Sequence, residues 1–349
     1  MLKKRDPNRL ALRVGELVEV RGQSDILNTL DSNGAFDALP CMPEMLRYCG
    51  QRFRVYKRVD KVCDTITKAG FRRMNNTVLL EGVRCDGAAH GGCQARCMIL
   101  WKEAWLRRVS VLAKEEVNAD GASVGKKAEA GFATKGASHC TETDLLQATR
   151  KRPPSTDAKD ETFSCQATEL KAATSPLDWW DLRQYVRDLW SGNVNLLNWV
   201  CGMLIILFNT VQRLRGGCGY PHLAQGTLKK TPQEVLNLQP GDLVEVKAKR
   251  EIWQTLDVSN KNRGLWFDIE MLKFCGEKYQ VLGRVQQIID EKTGRMLRFT
   301  NDCIMLDGAK CNGDHHRFCP RSEYIYWREI WLRRSREGIH SLDEEKGAA

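Results

Sequence analysis

The sequence predicts a mostly β protein with some α: two homologous small SH3-like β-barrel domains, each with a zinc loop, separated by a disordered linker and a helical hairpin. Three observations predict it. Sliding the 349-residue chain by 226 positions lays residues 15–108 on 241–334 without a gap, with about 35 of about 94 positions identical. Each copy opens with a Gly-acid-Leu-Val-Glu-Val run, Gly15 to Val20 and Gly241 to Val246, of the kind that starts small SH3-like barrels. Each copy also repeats a C-x4-H-x2-C loop, Cys85, His90 and Cys93 in the first and Cys311, His316 and Cys319 in the second.

The domain plan follows from the duplication. Residues 1–110 form the first repeat and 227–336 the second, with a flexible tail at 337–349. Within a copy, Ile26, Leu27 and Leu30, recurring as Ile252, Trp253 and Leu256, have helical spacing and predict a short helix ending at Asp31 or Asp257. Three strand-like runs follow in the second copy, Tyr279–Ile289, Met296–Leu306 and Tyr324–Leu332. The first two are joined by Asp290-Glu-Lys-Thr-Gly294, whose glycine suits a hairpin. The metal loop falls between the last two strands.

Between the copies, residues 111–175 are rich in Ala, Lys, Glu, Thr, Ser and Gly without periodicity, a composition that buries too little apolar surface to order itself. Residues 176–226 read as a helical hairpin. Ser175-Pro176 suits a helix start, and Leu182, Tyr185, Val186 and Leu189 share one face before Gly192. A second helix from Asn193 to about Leu214 carries the apolar run Trp199 to Phe208. That run is too short to span a bilayer, which takes about 20 apolar residues. Leu, Ile and Phe cover this helix all round, which predicts a buried element; the other reading is an interfacial anchor over 194–215 with Arg213, Arg215, Lys229 and Lys230 nearby.

The opening Met1 to Pro7 carries charges with no apolar stretch behind them, so a cytoplasmic chain is expected. In that reducing setting the 14 cysteines predict metal ligation in preference to disulfides, because the duplication kept a histidine at fixed distance from them. One upstream cysteine in matched context completes each set. The expected ligands are Cys49, Cys85, His90 and Cys93 for one zinc ion, and Cys275, Cys311, His316 and Cys319 for the other. Three thiolates and an imidazole leave no open position, which points to two structural ions. Cys97 competes with Cys49, but its counterpart is Glu323. His315 competes with His316, but its counterpart is Ala89. Cys140, Cys165, Cys218 and His222 receive no ligand role.

Each copy ends on a shared signature, Trp101-Lys-Glu-Ala-Trp105-Leu-Arg-Arg108 and Trp327-Arg-Glu-Ile-Trp331-Leu-Arg-Arg334. The tryptophans are expected in the core, with a base-stacking and phosphate-binding platform as the rival reading. A net charge of +10 invites an anionic partner. The first repeat carries 20 basic and 12 acidic residues and the second 20 and 15, so the excess of +8 and +5 lies in the barrels. These charges alternate in sign, as on an ordinary soluble surface. No phosphate-binding glycine loop, nucleophile elbow or metalloprotease motif occurs, and Glu44, Glu270, Glu103 and Glu329, which match between copies, read as structural partners of core residues.

The Glu-Met-Leu-x-[Tyr/Phe]-Cys-Gly, Cys-x4-His-x2-Cys and Trp-x-Glu-x-Trp-Leu-Arg-Arg segments resemble a family of uncharacterised bacterial proteins, over both repeats and the segment from Trp179 to the second copy. That resemblance implies a gene neighbourhood of surface-polysaccharide glycosyltransferases and an accessory role, with no catalytic residue to carry over. The expectation is a non-enzymatic tandem module acting as an adaptor or assembly factor for partner proteins. Its alternatives are nucleic-acid binding through the basic and aromatic barrel faces, and peripheral membrane contact through 194–215.

Overall fold

A computed structural model of the chain describes residues 9–67, 70–109, 140–151 and 161–335. The protein is mostly β with several helices, built on two curled five-stranded half-barrel sheets of identical strand order. The first runs Met98–Lys102, Thr77–Arg84, Arg52–Arg58, Leu17–Val20 and Leu106–Arg108. In the second the order is Tyr324–Trp327, Ile304–Lys310, Lys278–Arg284, Leu243–Val246 and Leu332–Arg334. The two edge strands of each sheet are consecutive in sequence, separated only by a 3-10 turn, Glu103–Trp105 or Glu329–Trp331. A sheet whose opposite edges are joined by only three or four residues has to curl.

Alternation along the strands explains the cores. Val18 and Val20, Val78 and Leu80, and Trp101 and Trp105 are fully buried, as are their counterparts Val244 and Val246, Ile304 and Leu306, and Trp327 and Trp331. The short helices Gln23–Leu27 and Lys249–Trp253 close the sheets by burying Ile26 and Ile252. Trp105 donates its indole N–H to Thr29 at 3.0 Å and Trp331 does the same to Thr255 at 3.0 Å. All four tryptophans are thus core residues, out of reach of any ligand to stack on them.

Glu103 is entirely buried and has a structural task. Its carboxylate accepts the N–H groups of Leu10, Ala11 and Leu12 at 2.7, 3.0 and 3.0 Å and pairs with the buried Arg58. Glu329 does the same for Leu236, Asn237 and Leu238 and for Arg284. A buried charge survives only when paired and hydrogen-bonded. Here it fastens the strap that enters each sheet.

The two long sequence runs of the second copy are divided in the structure. Lys278–Arg284 stays in the sheet, while Gln287–Ile289 pairs with Met296–Arg298 in a separate hairpin, and Lys61–Cys63 with Phe71–Arg73 repeats this in the first copy. These hairpins join the copies. Each reaches the cysteine loop of the other repeat: Gln94 donates its backbone N–H to the Gln287 carbonyl at 3.0 Å, and the Cys63 and Cys319 sulfurs lie 3.0 Å apart. Thr65 and Glu291, which are equivalent positions, touch each other directly. Equivalent residues meeting, and reciprocal contacts elsewhere, are the signature of an isologous two-fold interface within one chain.

Three expectations change. Residues 140–151 and 161–175, assigned to the loose linker, pack on the first sheet: Cys140, Leu145 and Leu170 join its core and Gln166 hydrogen-bonds both backbone groups of Leu100 at 2.8 and 2.9 Å. The rest of that linker and the tail at 337–349 lie outside the described residues. Ser175–Leu177 does not start a helix; it adds a strand beside Phe71–Arg73, and the helix begins at Arg183. Finally, the expected burial of 194–215 is not found. The helix Leu196–Leu214 exposes Leu196, Leu197, Val200, Leu204, Leu207, Phe208, Val211 and Leu214, with Leu197 78% and Leu214 81% exposed. At about 100° per residue these eight fall within a stripe about 120° wide. The helix rests on the body by its other side, where Gly202 meets Phe318 and the Trp199 indole donates to the Tyr185 carbonyl at 2.8 Å.

Replacing Glu103 with alanine is expected to destabilise the protein by about 3–5 kcal/mol in urea unfolding followed by tryptophan fluorescence, because Arg58 and three N–H groups lose their partner. Arg108→Ala, which removes an exposed pair with Glu16, should cost less than about 1 kcal/mol.

Candidate metal centres

The loop after Thr77–Arg84 turns on one glycine. Gly87 has φ +71° and a Cβ there would stand 2.0 Å from the Cys93 carbonyl oxygen, so no other residue fits. Its own carbonyl accepts the N–H groups of His90 and Gly92 at 3.0 Å each, and Cys93 N–H closes on the His90 carbonyl at 3.2 Å. Gly313, His316, Phe318 and Cys319 repeat this turn at 3.1, 2.8 and 3.0 Å. The repeat of sequence is therefore a repeat of loop geometry.

Two groups of metal-capable donors come together among the described residues: Glu44, Cys85 and His90, and Glu270, Cys311 and His316, each with its donor atoms all within 4.8 Å of one another. Neither Cys49 nor Cys275 belongs to these groups. Both end the 3-10 helices Pro43–Tyr48 and Ile269–Phe274, where Cys49 packs against the first core and the Cys275 sulfur lies 3.8 Å from the Met271 carbonyl. The same helices instead aim Glu44 and Glu270 at the loops. Those glutamates were visible in the sequence as matched positions, and the signal that could have found them is their place five residues before the matched cysteine.

In the first centre, the Glu44 Oε1 lies 2.7 Å from His90 Nδ1 and accepts the Ala89 N–H at 3.0 Å, while the Cys85 thiol is 3.9 Å away. His90 Nε2 faces the Ser164 carbonyl at 3.1 Å while Nδ1 faces the Glu44 carboxylate, so Nδ1 is the nitrogen turned to the donor cluster. Burial works against the charged Glu44, but the His90 ring outweighs it and holds the carboxyl below its usual range. Burial, then the Glu44 charge, pushes the Cys85 thiol well up. A carboxylate, an imidazole and a thiol gathered in a dry site suit a borderline divalent ion, which would replace the protons these groups now share.

The second centre is more open. The Glu270 Oε1 accepts the His315 N–H at 2.6 Å, Cys311 sulfur lies 3.6 Å from His316 Nδ1, and His316 Nε2 faces Asp268 at 3.4 Å. Hydrogen bonds to Asp268 and Cys311 push the His316 ring up to about 11. His315 contributes its backbone to Glu270, and His316 its ring to the group.

Cys93 and Cys319, the last residue of each motif, face the other repeat. The Cys93 sulfur accepts the Ile289 N–H at 3.4 Å, and Cys319 meets Cys63, a hydrogen bond that holds the Cys319 thiol below its usual range. Cys85, Cys93, Cys97 and Cys165 line one cavity of about 50 Å³ with His90 and Glu323. Burial pushes the Cys165 thiol up to about 11 and raises Cys97 and Glu323 as well. Cys165 was given no role from the sequence because it has no counterpart in the second copy; only the packing of 161–175 brings it to the loop.

No family model, curated protein or solved structure matches the chain.

Native mass spectrometry is expected to count two divalent ions per chain, falling to one in His90→Ala and in Gly87→Ala, whereas Cys49→Ser keeps two. Because His316 must give up a firmly held proton to ligate, metal binding at the second centre should release protons and weaken as pH falls. Calorimetry in buffers of different ionisation enthalpy measures that release.

Proposed function

We propose that this is a non-catalytic, membrane-peripheral accessory protein, in which two zinc-stabilised SH3-like barrels form a rigid body that lays the helix Leu196–Leu214 against a lipid surface. One observation carries the reading: a 19-residue helix, long and apolar enough by length and composition to cross a membrane, turns a continuous apolar stripe to solvent. Exposing eight large apolar side chains on one helix costs about 1.5–3 kcal/mol each relative to burial, which a folded chain does not sustain without a surface to cover them.

The geometry favours a helix lying in the interface over one that crosses it. Its other side is committed to Phe318 and Tyr185, which belong to the rest of the fold. Trp179, Trp180 and Trp190, all more than half exposed, stand on the chain just before it, and tryptophan settles at the level of lipid headgroups. Arg213 and Arg215 follow at its far end. The zinc ions would act structurally, each fixing a loop that bears on the opposite repeat, with Glu44 and Glu270 favoured as ligands in place of Cys49 and Cys275. Such an ion can contribute on the order of 10 kcal/mol to folding.

In flotation with phosphatidylcholine vesicles the metal-loaded protein is expected to rise with the lipid. Leu204→Asp together with Leu207→Asp should leave it in the bottom fraction, with an unchanged unfolding curve. Equal flotation of the double variant, or no flotation of the wild type, removes the membrane reading and leaves the apolar stripe to a protein partner.

A further inference from the structure

A second feature lies beside the apolar helix and is absent from the second copy. A cavity of about 300 Å³ opens between the entry strap, the Asn75-Asn76 turn and the end of the helix Arg183–Trp190. Four arginines line it, Arg9, Arg13, Arg58 and Arg187, against one carboxylate, Asp60. Arg58 is neutralised: it pairs with Glu103, donates to the Leu12 carbonyl at 3.1 Å, and its Nε reaches both Asp60 oxygens at 3.1 Å. Among the described residues no carboxylate pairs with Arg9, Arg13 or Arg187. Arg13 stacks on Trp190, its Cζ 4.5 Å from the ring centroid. Stacking fixes the plane of a guanidinium while its N–H edge stays available for a bidentate acceptor.

The duplication supplies an internal control. The second copy keeps the scaffold, with Leu236 to Leu238 strapped to Glu329 and Arg284 in the place of Arg58. It does not keep the charges. Val235 and Gln239 stand where the first copy has Arg9 and Arg13, and Asp302 stands where it has Asn76. The arginines are therefore not required to build the strap. Their convergence costs mutual repulsion, which a bound anion would relieve. The site is held in shape, since Val14 donates its N–H to the Ser191 carbonyl at 3.0 Å and ties the strap to the helix end.

We propose that this pocket binds a phosphate monoester or diphosphate, gripped by Arg9, Arg13 and Arg187. Trp190 is 68% exposed and precedes the apolar helix by only five residues, so a ligand phosphate would sit where headgroups lie if that helix rests on a bilayer. Phosphate recognition stands on the arginines alone; a lipid source for it rests on the membrane reading above.

The test is calorimetric titration of the full-length, metal-loaded protein with inorganic pyrophosphate at low salt. Saturable binding is expected, weakened at least about tenfold in Arg13→Glu and in Arg187→Glu, as suits loss of one charge-assisted contact and its sign. Asn76→Asp, which installs the second copy's residue, should weaken it too, and Arg250→Glu on the distant copy should not. No saturable binding by the wild type, or equal binding by Arg13→Glu and Arg187→Glu, overturns the proposal. Vesicles separate the two sources. Recruitment that rises when phosphatidate is added, and that pyrophosphate competes away, identifies a lipid headgroup. Pyrophosphate binding with no response to phosphatidate supports the pocket with a soluble phosphate ligand. Leu204→Asp with Leu207→Asp should still bind pyrophosphate, so failure of the membrane reading and failure of the pocket give different results.

Discussion

Each cysteine loop is held between a buried carboxylate of its own repeat and a hairpin of the other, and the rest of the architecture depends on that double grip. From one side Glu44 takes the Ala89 N–H and the His90 imidazole, and Glu270 takes the His315 N–H. From the other, the hairpin Gln287–Ile289 presents its backbone to Cys93 and Gln94, and Lys61–Cys63 brings Cys63 to Cys319. The first loop, made of small residues and tight turns, has little apolar surface of its own with which to offset the entropy of ordering it. Fixing it from both sides makes the loop a structural joint between two half-barrels, and an ion at its centre would tighten both halves together.

Polar side chains hold the copies together. Arg321 reaches Glu291 at 2.6 Å and Thr65 at 3.1 Å, and Arg84 donates to the Ser322 carbonyl at 2.8 Å while lying 4.3 Å over the Tyr324 ring. Lys61, almost fully buried, pairs with Asp188 at 2.6 Å and stands over the Tyr185 and Phe318 rings. That one ammonium touches the first repeat, the helical segment and the second repeat. Buried ion pairs add little net stability, but leaving one partner alone is expensive, so such contacts fix a unique arrangement of the parts.

How much of this was legible in the sequence depended on whether a feature was local. The sheets, the core tryptophans and the turn at Gly87 and Gly313 follow from alternation and from spacing within a few residues, and the structure has them. Glu44 and Glu270 were seen as matched positions but not as donors, because a glutamate in Glu-Met-Leu looks like an ordinary helix residue until the fold turns it toward a loop about 40 residues on. The match of Cys85 with Cys311 and His90 with His316 was readable; the meeting of Cys63 with Cys319 was not, since contacts across the two-fold leave no trace in a linear spacing. Gln166 and Leu170 sit in a stretch whose composition resembles loose chain, and they are ordered only by the sheet they cover. The helix Leu196–Leu214 misled for a related reason: apolar residues all round a helix do argue for burial, but the residues inside the stripe and those against Phe318 differ only in what the fold places beside them.

Duplication makes the departures from symmetry informative. Features needed to fold a half-barrel occur twice: the strap on Glu103 and Glu329, the turn at Gly87 and Gly313, the Trp-Thr hydrogen bonds. Several features that occur once meet beside the entry strap of the first copy. Arg9, Arg13 and Asn76 have no like residue in the second copy, and Arg187, Trp190 and the exposed helix come from the inserted segment between the copies. A surface that only had to be soluble would show no reason to collect, at one junction, uncovered leucines and arginines that have no carboxylate partner among the described residues. Cationic groups beside an apolar stripe are the two halves of a surface that meets an amphiphile, with charge for the head and hydrocarbon for the tail. On the membrane reading proposed above, the second copy would supply rigidity through its loop and hairpin, and the first copy with its inserted helix would supply the face that meets the lipid.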